Sequence, residues 1–99
     1  MQMDKWLESH PLWRLENNAL HARFKFLDFA HAWAFMTAVA LEAEKRDHHP
    51  DWSNRYNVVA ISLTTHSQGR VTSKDFGLAE EIETWANRFL ANTGNLPEA

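Results

Sequence analysis

Leu20-His21-Ala22-Arg23-Phe24-Lys25-Phe26-Leu27-Asp28-Phe29 carries the reading that decides the fold. Leu20, Ala22, Phe24 and Phe26 alternate with His21, Arg23 and Lys25, the two-residue period of a half-buried strand. At Asp28 the period changes. Its short carboxylate can accept from backbone N–H groups two or three residues on and so cap a helix. Phe29, Trp33, Met36 and Ala40 then follow at helical spacing and predict one buried face. Upstream, Trp13 and Leu15 alternate with Arg14 and Glu16. Asn17-Asn18 lies between the two alternating runs, and asparagine tolerates the positive φ angles of a tight turn. Together these predict a β-hairpin feeding a helix.

Working outward, the helix is expected to run to about Asp47, because Pro50 disfavours helical geometry at His49. Residues 51–55 read as a polar connection. Tyr56 to Thr65 reads as a strand, with Val59, Ile61 and Leu63 on one face and Val58 and Ala60 on the other. Gly69 marks a turn, Val71-Thr72 a short final strand, and Ser73 the cap of a last helix striped by Leu78, Ile82, Trp85 and Phe89. Thr93-Gly94-Asn95 and Pro97 end that helix. Residues 1–10 read as a short helix or a frayed end. The order predicts a two-layer α+β fold: an antiparallel sheet of about four strands with helices packed on one face, as one domain over residues 1–99.

Composition narrows the function classes. Apolar residues make up 44% of the 99, with five Trp and six Phe, enough bulk for a real core. The net charge of −3 and scattered Lys and Arg argue against a general nucleic-acid binder. Without cysteine there is no disulfide or thiolate metal site, and a reducing cytoplasm is the expected home. The most apolar run, Ala32 to Leu41, is too short to span a bilayer.

The chemistry concentrates in Glu44-Lys45-Arg46-Asp47-His48-His49-Pro50. Glu44 and His48 are four apart near a helix end, a spacing at which side chains meet. The negative end of the helix dipole favours a protonated histidine there. Such a group suits proton transfer near neutral pH. Two histidines at a helix end can equally well just bond its free carbonyls. Asp75, in the first turn of the last helix, reads as an acid favoured by the dipole.

The longer spacing adds a second kind of signal. Five residues separate Pro50 from Tyr56, nine separate Tyr56 from His66, and eight separate His66 from Asp75. Glu44, His48, His49, Pro50, Tyr56, His66 and Asp75 thus resemble the signature of the pterin-4a-carbinolamine dehydratase family. The resemblance extends through Phe35-Met36-Thr37, Val39-Ala40-Leu41, Ala43-Glu44-Lys45 and Ile61-Ser62-Leu63-Thr64-Thr65-His66, and includes Trp13. It covers roughly residues 12–90.

The resemblance implies helices on one face of a four-stranded antiparallel sheet, assembled as homodimers or homotetramers. It implies dehydration of 4a-hydroxytetrahydrobiopterin to quinonoid dihydropterin, which links the chain to a phenylalanine hydroxylase. It makes His48, His49 and His66 the active-site histidines, with Glu44 as a supporting acid. Trp13 is expected either to stack near the pterin or to lie in the core or an interface, as a tryptophan on a hairpin does about equally often. Thr65 is expected to meet the pterin edge through backbone groups. The chemistry asks for a proton on the departing oxygen and a proton taken from a ring nitrogen. Neither step requires a cofactor or a metal, and histidine acids and bases suffice in kind. Two rival readings remain. One is a non-catalytic, transcriptional-coactivator type of binding module working through the last helix. The other is a zinc site formed by His48, His49 and His66.

Overall fold

Asn17 and Asn18 both take positive φ, 53° and 60°, as a two-residue turn of mirror-image type requires. They join β1 (Arg14–Glu16) to β2 (Ala19–Lys25), with Glu16 opposite Ala19. The computed structural model describes residues 3–89 and 91. A short α1 (Met3–Ser9) precedes the hairpin, and α2 (Phe29–Arg46) follows it. Asp28 caps α2 as expected, its Oδ1 accepting from the His31 N–H at 2.8 Å. That backbone bond, together with the His31 side chain, holds the Asp28 carboxyl below its ordinary range.

Residues 51–55, expected to be a polar connection, form a strand instead. β3 (Asp51–Arg55) pairs antiparallel with β4 (Val58–Leu63). As an edge strand β3 pairs on one side only, and its backbone bonds ask little of its side chains; Trp52 is its one large apolar residue. Tyr56, expected to begin the next strand, lies in the turn between β3 and β4 at φ 51°. Asn54 holds that turn by donating to the Tyr56 and Val58 carbonyls. The sheet order is β1-β2-β4-β3, antiparallel throughout. Its inward pairs, Leu20 with Leu63, Ala22 with Ile61 and Phe24 with Val59, form the floor of the core.

The last helix, α3 (Ser73–Arg88), is capped by Thr72 rather than Ser73. No strand forms at Val71-Thr72; a single bridge joins Thr65 to Arg70. Leu78 and Ile82 are fully buried, and Trp85 and Phe89 pack partly buried against the core. Trp6 docks α1 on this helix, with its ring 4.6 Å from Phe76 and its indole N–H donating to Glu80 Oε2 at 2.9 Å. The expected terminator, Thr93-Gly94-Asn95 with Pro97, lies outside the described residues.

The buried face of α2 is not the one its bulky residues predict. Ala32, Phe35, Val39 and Ala43 face the core, while Phe29, Trp33 and Ala40 are exposed and Met36 is partly buried. Both stripes have helical spacing, so periodicity cannot choose between them. Three of the four inward residues are small or β-branched, which lets the helix lie close to the sheet and Phe35 interlock with Phe24 and Phe26. Among the described residues no helix is long and apolar enough to cross a membrane.

Two stability outcomes follow from this packing. Leu78→Ala should destabilise the protein by about 2–5 kcal/mol, since the side chain is wholly enclosed, read from urea denaturation. Glu83 on α3 is pushed above the ordinary carboxyl range, first by burial, against the opposing pull of His10 and Trp13. A carboxyl raised in this way favours the folded state when protonated, and that advantage is lost as pH rises through the raised value. Glu83→Gln should therefore raise the melting temperature at about pH 7, with the gain shrinking toward about pH 4 as wild-type Glu83 protonates.

Candidate active site

The site begins where α2 ends. Asp47 adopts the left-handed conformation, φ 51° and ψ 44°, and its N–H returns to the Ala43 and Glu44 carbonyls. This cap turns the chain out of the helix before His48, so the four-residue spacing between Glu44 and His48 no longer sets who meets whom. Glu44 Oε1 bonds His49 Nε2 at 2.8 Å, and His48 swings inward to Asp75. The expected Glu44–His48 contact is thereby replaced.

His48 and Asp75 form the tightest pair in the cleft, Nε2 to Oδ1 at 2.6 Å, with the histidine side chain 10% exposed and Asp75 not exposed at all. Two further donors reach the other carboxylate oxygen. Thr65 Oγ1 donates to Asp75 Oδ2 at 2.7 Å, and the Thr72 N–H donates to it at 2.8 Å. Because the Thr65 hydroxyl hydrogen is committed there, the 2.6 Å contact between the Thr65 and Thr72 hydroxyls must be donated by Thr72. The network thus runs from the α3 cap through Thr65 to a histidine after α2.

His66 lies beyond the end of β4, its Nε2 3.2 Å from Asp51 Oδ2 at the start of β3. His49 and His66 are far more open than His48, at 57% and 74% exposure. Their carboxylate partners are exposed as well, so solvent screens both pairs and neither holds its ring firmly. Each of the three histidines therefore engages a carboxylate through Nε2, but one pair is buried and two are wet.

All three histidines line one cleft of about 250 Å³, together with Asp47, Thr64, Thr65, Ser67 and Lys74. Glu44 does not line it and meets it only through His49. Thr65 does line it, but its hydroxyl serves Asp75, its N–H bonds the Arg70 carbonyl, and its carbonyl accepts from Gln68 and Gly69. Trp13 is not brought to the cleft. It is buried at the start of β1, edge-on to Phe24, with its indole N–H toward Glu83 but outside hydrogen-bond geometry. Among the described residues no three His, Asp or Glu side chains are placed to hold a metal ion together.

Sequence reasoning missed Asp51, Ser67 and Lys74, and gave Asp75 a lesser part. Asp51 was hidden in a stretch with no strand pattern. Asp75 had a usable signal, since Thr72 and Asp75 have the three-residue spacing of a capping box, which brings the acid back to the chain before the helix.

Comparison with known proteins identifies the family. The family model described as pterin 4 alpha carbinolamine dehydratase matches residues 1–85. A protein of Prochlorococcus marinus (strain NATL2A), provisionally named pterin-4-alpha-carbinolamine dehydratase, is 48% identical over 86 residues, 87% of this chain and 90% of its own. One of Rhodospirillum rubrum with the same provisional name is 49% identical over 83 residues, 82% of this chain and 86% of its own. The crystal structure of a transcriptional coactivator/pterin dehydratase from Brucella melitensis superposes with a TM-score of 0.82 at 41% identity, covering 85% of this chain and 92% of that one. The fold also recurs, at TM-score 0.63 and 23% identity, in a pterin dehydratase-like protein identified as a RuBisCO assembly factor in the alpha-carboxysome; 75% of this chain and 86% of that one align. The chain belongs to the pterin 4 alpha carbinolamine dehydratase family.

Proposed function

We propose that this chain dehydrates 4a-hydroxytetrahydrobiopterin to quinonoid dihydropterin, with His48, His49 and His66 as the proton-transfer groups. The observation that carries the reading is the meeting of these three histidines, drawn from two separate segments, around one cleft. The reaction moves two protons and no net electrons. One proton goes to the hydroxyl leaving C4a, and one comes off a ring nitrogen whose electron pair forms the new double bond; water departs. Imidazoles are suited to both transfers near neutral pH, each worth about 10²- to 10⁴-fold in rate. The substrate is the product of an aromatic amino-acid hydroxylase, so the role is recycling of the tetrahydropterin in a cytoplasm that also holds an enzyme such as phenylalanine hydroxylase.

The reaction can be followed by quinonoid dihydropterin formation from freshly generated carbinolamine, with spontaneous dehydration subtracted. Replacing His48 and His49 together by Ala should lower the enzymatic rate on the order of 10²-fold while the chain stays folded. EDTA should leave the wild-type rate unchanged. A folded double variant with wild-type activity, or loss of activity in EDTA, would overturn the proposal.

A purely adaptor role through α3 has little support, because Leu78 and Ile82 of its apolar stripe are enclosed in the core. The apolar surface left open belongs to α2. Phe29, Trp33, Met36 and Ala40 repeat at the four-three-four spacing of a helix-pairing seam, and Leu41 and Trp52 flank a groove of about 340 Å³ there. Trp33, 57% exposed, stacks on Phe29 rather than on the core. A seam of this kind is self-complementary about a two-fold axis, and we assign it to a second copy of the chain, in a homodimer or homotetramer. Light scattering should give a mass at least twice 11.5 kDa, and Trp33→Glu should reduce it to the monomer.

A further inference from the structure

The buried carboxylate of Asp75 does not itself line the cleft, yet it bonds directly to two residues that do, His48 and Thr65, and His48 is the one histidine there that is largely enclosed. Its Oδ2 accepts from two donors, the Thr65 hydroxyl and the Thr72 N–H. The backbone N–H can only donate, so the atom at that position must be an acceptor. Oδ1 is left for His48 Nε2 at 2.6 Å. A carboxylate accepts and does not donate, so the proton of neutral His48 belongs on Nε2. Nδ1 is then the ring nitrogen with a free lone pair, and it has no protein partner among the described residues.

We infer that Asp75 is a positioning residue that fixes His48 as the Nε2–H tautomer, so that His48 enters the reaction as a proton acceptor through Nδ1. The part about the reaction rests on the function proposed above. Nδ1 takes the proton from the pterin ring nitrogen next to C4a, the freed electron pair forms the C=N bond, and the C4a–O bond breaks. The departing oxygen takes a proton from one of the two open histidines, and water leaves. One proton is gained by the protein and one is given up, so the sum is the loss of water alone. His49 and His66 have wet, screened partners and no comparable constraint on which nitrogen carries the proton.

Asp75→Asn separates this role from simple packing, because the amide has nearly the same shape. Its oxygen must remain opposite the Thr72 N–H, which turns its NH₂ toward His48 Nε2. That nitrogen must then accept, and the imidazole proton moves to Nδ1. The same exchange of a buried aspartate for asparagine beside a catalytic histidine traps the wrong tautomer in serine proteases.

The test is a long-range proton–nitrogen NMR spectrum of the full chain at about pH 8, where an ordinary histidine is neutral. The His48 signals are assigned against a His48→Gln chain. In wild type, a protonated Nε2 and a lone-pair Nδ1 are expected; the reverse overturns the inference without need of any variant. In Asp75→Asn the two nitrogens should exchange roles, with kcat for dehydration falling on the order of 10²-fold and KM little changed. An unchanged His48 spectrum, or a folded variant with wild-type kcat, overturns it equally. If the tautomers behave as stated but wild type shows no dehydration, the proposed function fails while the control of His48 by Asp75 stands on the spectra.

Discussion

The end of α2, the end of β4 and the start of α3 are tied together by the side chain of Asp75. Taking a carboxylate wholly out of water costs several kcal/mol, and only good partners offset it. Here His48, Thr65 and the Thr72 N–H all donate within 2.8 Å, and bonds to an ionised acceptor are among the stronger ones available. The geometry of the cleft follows from that requirement. His48 must turn in from the end of α2, Thr65 must leave β4 at the right height, and α3 must start at Thr72. Loss of one donor would leave a buried charge short of partners, so the three segments hold their places jointly.

The larger elements were legible because their residues obey one period cleanly. Leu20, Ala22, Phe24 and Phe26 could only be the inner face of a strand, and the two adjacent asparagines could accept a turn that most residues avoid. Two features escaped. β3 carries one large apolar residue, Trp52, because its place at the sheet edge is held by backbone pairing with β4. In α2 the difficulty was the opposite, an excess of signal. Large residues make the brighter stripe, but what fits against the sheet is the stripe with Ala32 and Ala43, where the helix can come close. Bulk marks a surface that will be covered by something; it does not say by what.

At the site, spacing singled out three histidines that the fold gathers around one cleft, but it could not name their partners. A helical four-residue rule joined Glu44 to His48, and it failed because the chain leaves the helix at Asp47, one residue too soon. Partners supplied by tertiary contact, Asp75 for His48 and Asp51 for His66, lie 27 and 15 positions away in sequence, and no local rule reaches them. Trp13 shows the converse. An aromatic residue near a family motif invites a role with a flat substrate, yet its place at the head of β1 puts it against Phe24 inside the core.

The unequal burial of the three histidine–carboxylate pairs has a consequence for a dehydration of the proposed kind. A proton acceptor gains most from being held still, because transfer needs the reacting atoms within hydrogen-bond reach and well aligned. His48, enclosed and tied to a buried partner, meets that condition. A proton donor to a departing hydroxyl must also be recharged before the next turnover, and that is fastest where water reaches the ring. His49 and His66, open and weakly paired, meet this second condition. Burying all three would slow recharging, and exposing all three would leave no fixed point for the substrate. Placing one inside and two at the rim satisfies both demands, and it does so with residues that the turn at Asp47 and the end of β4 bring to the same cleft.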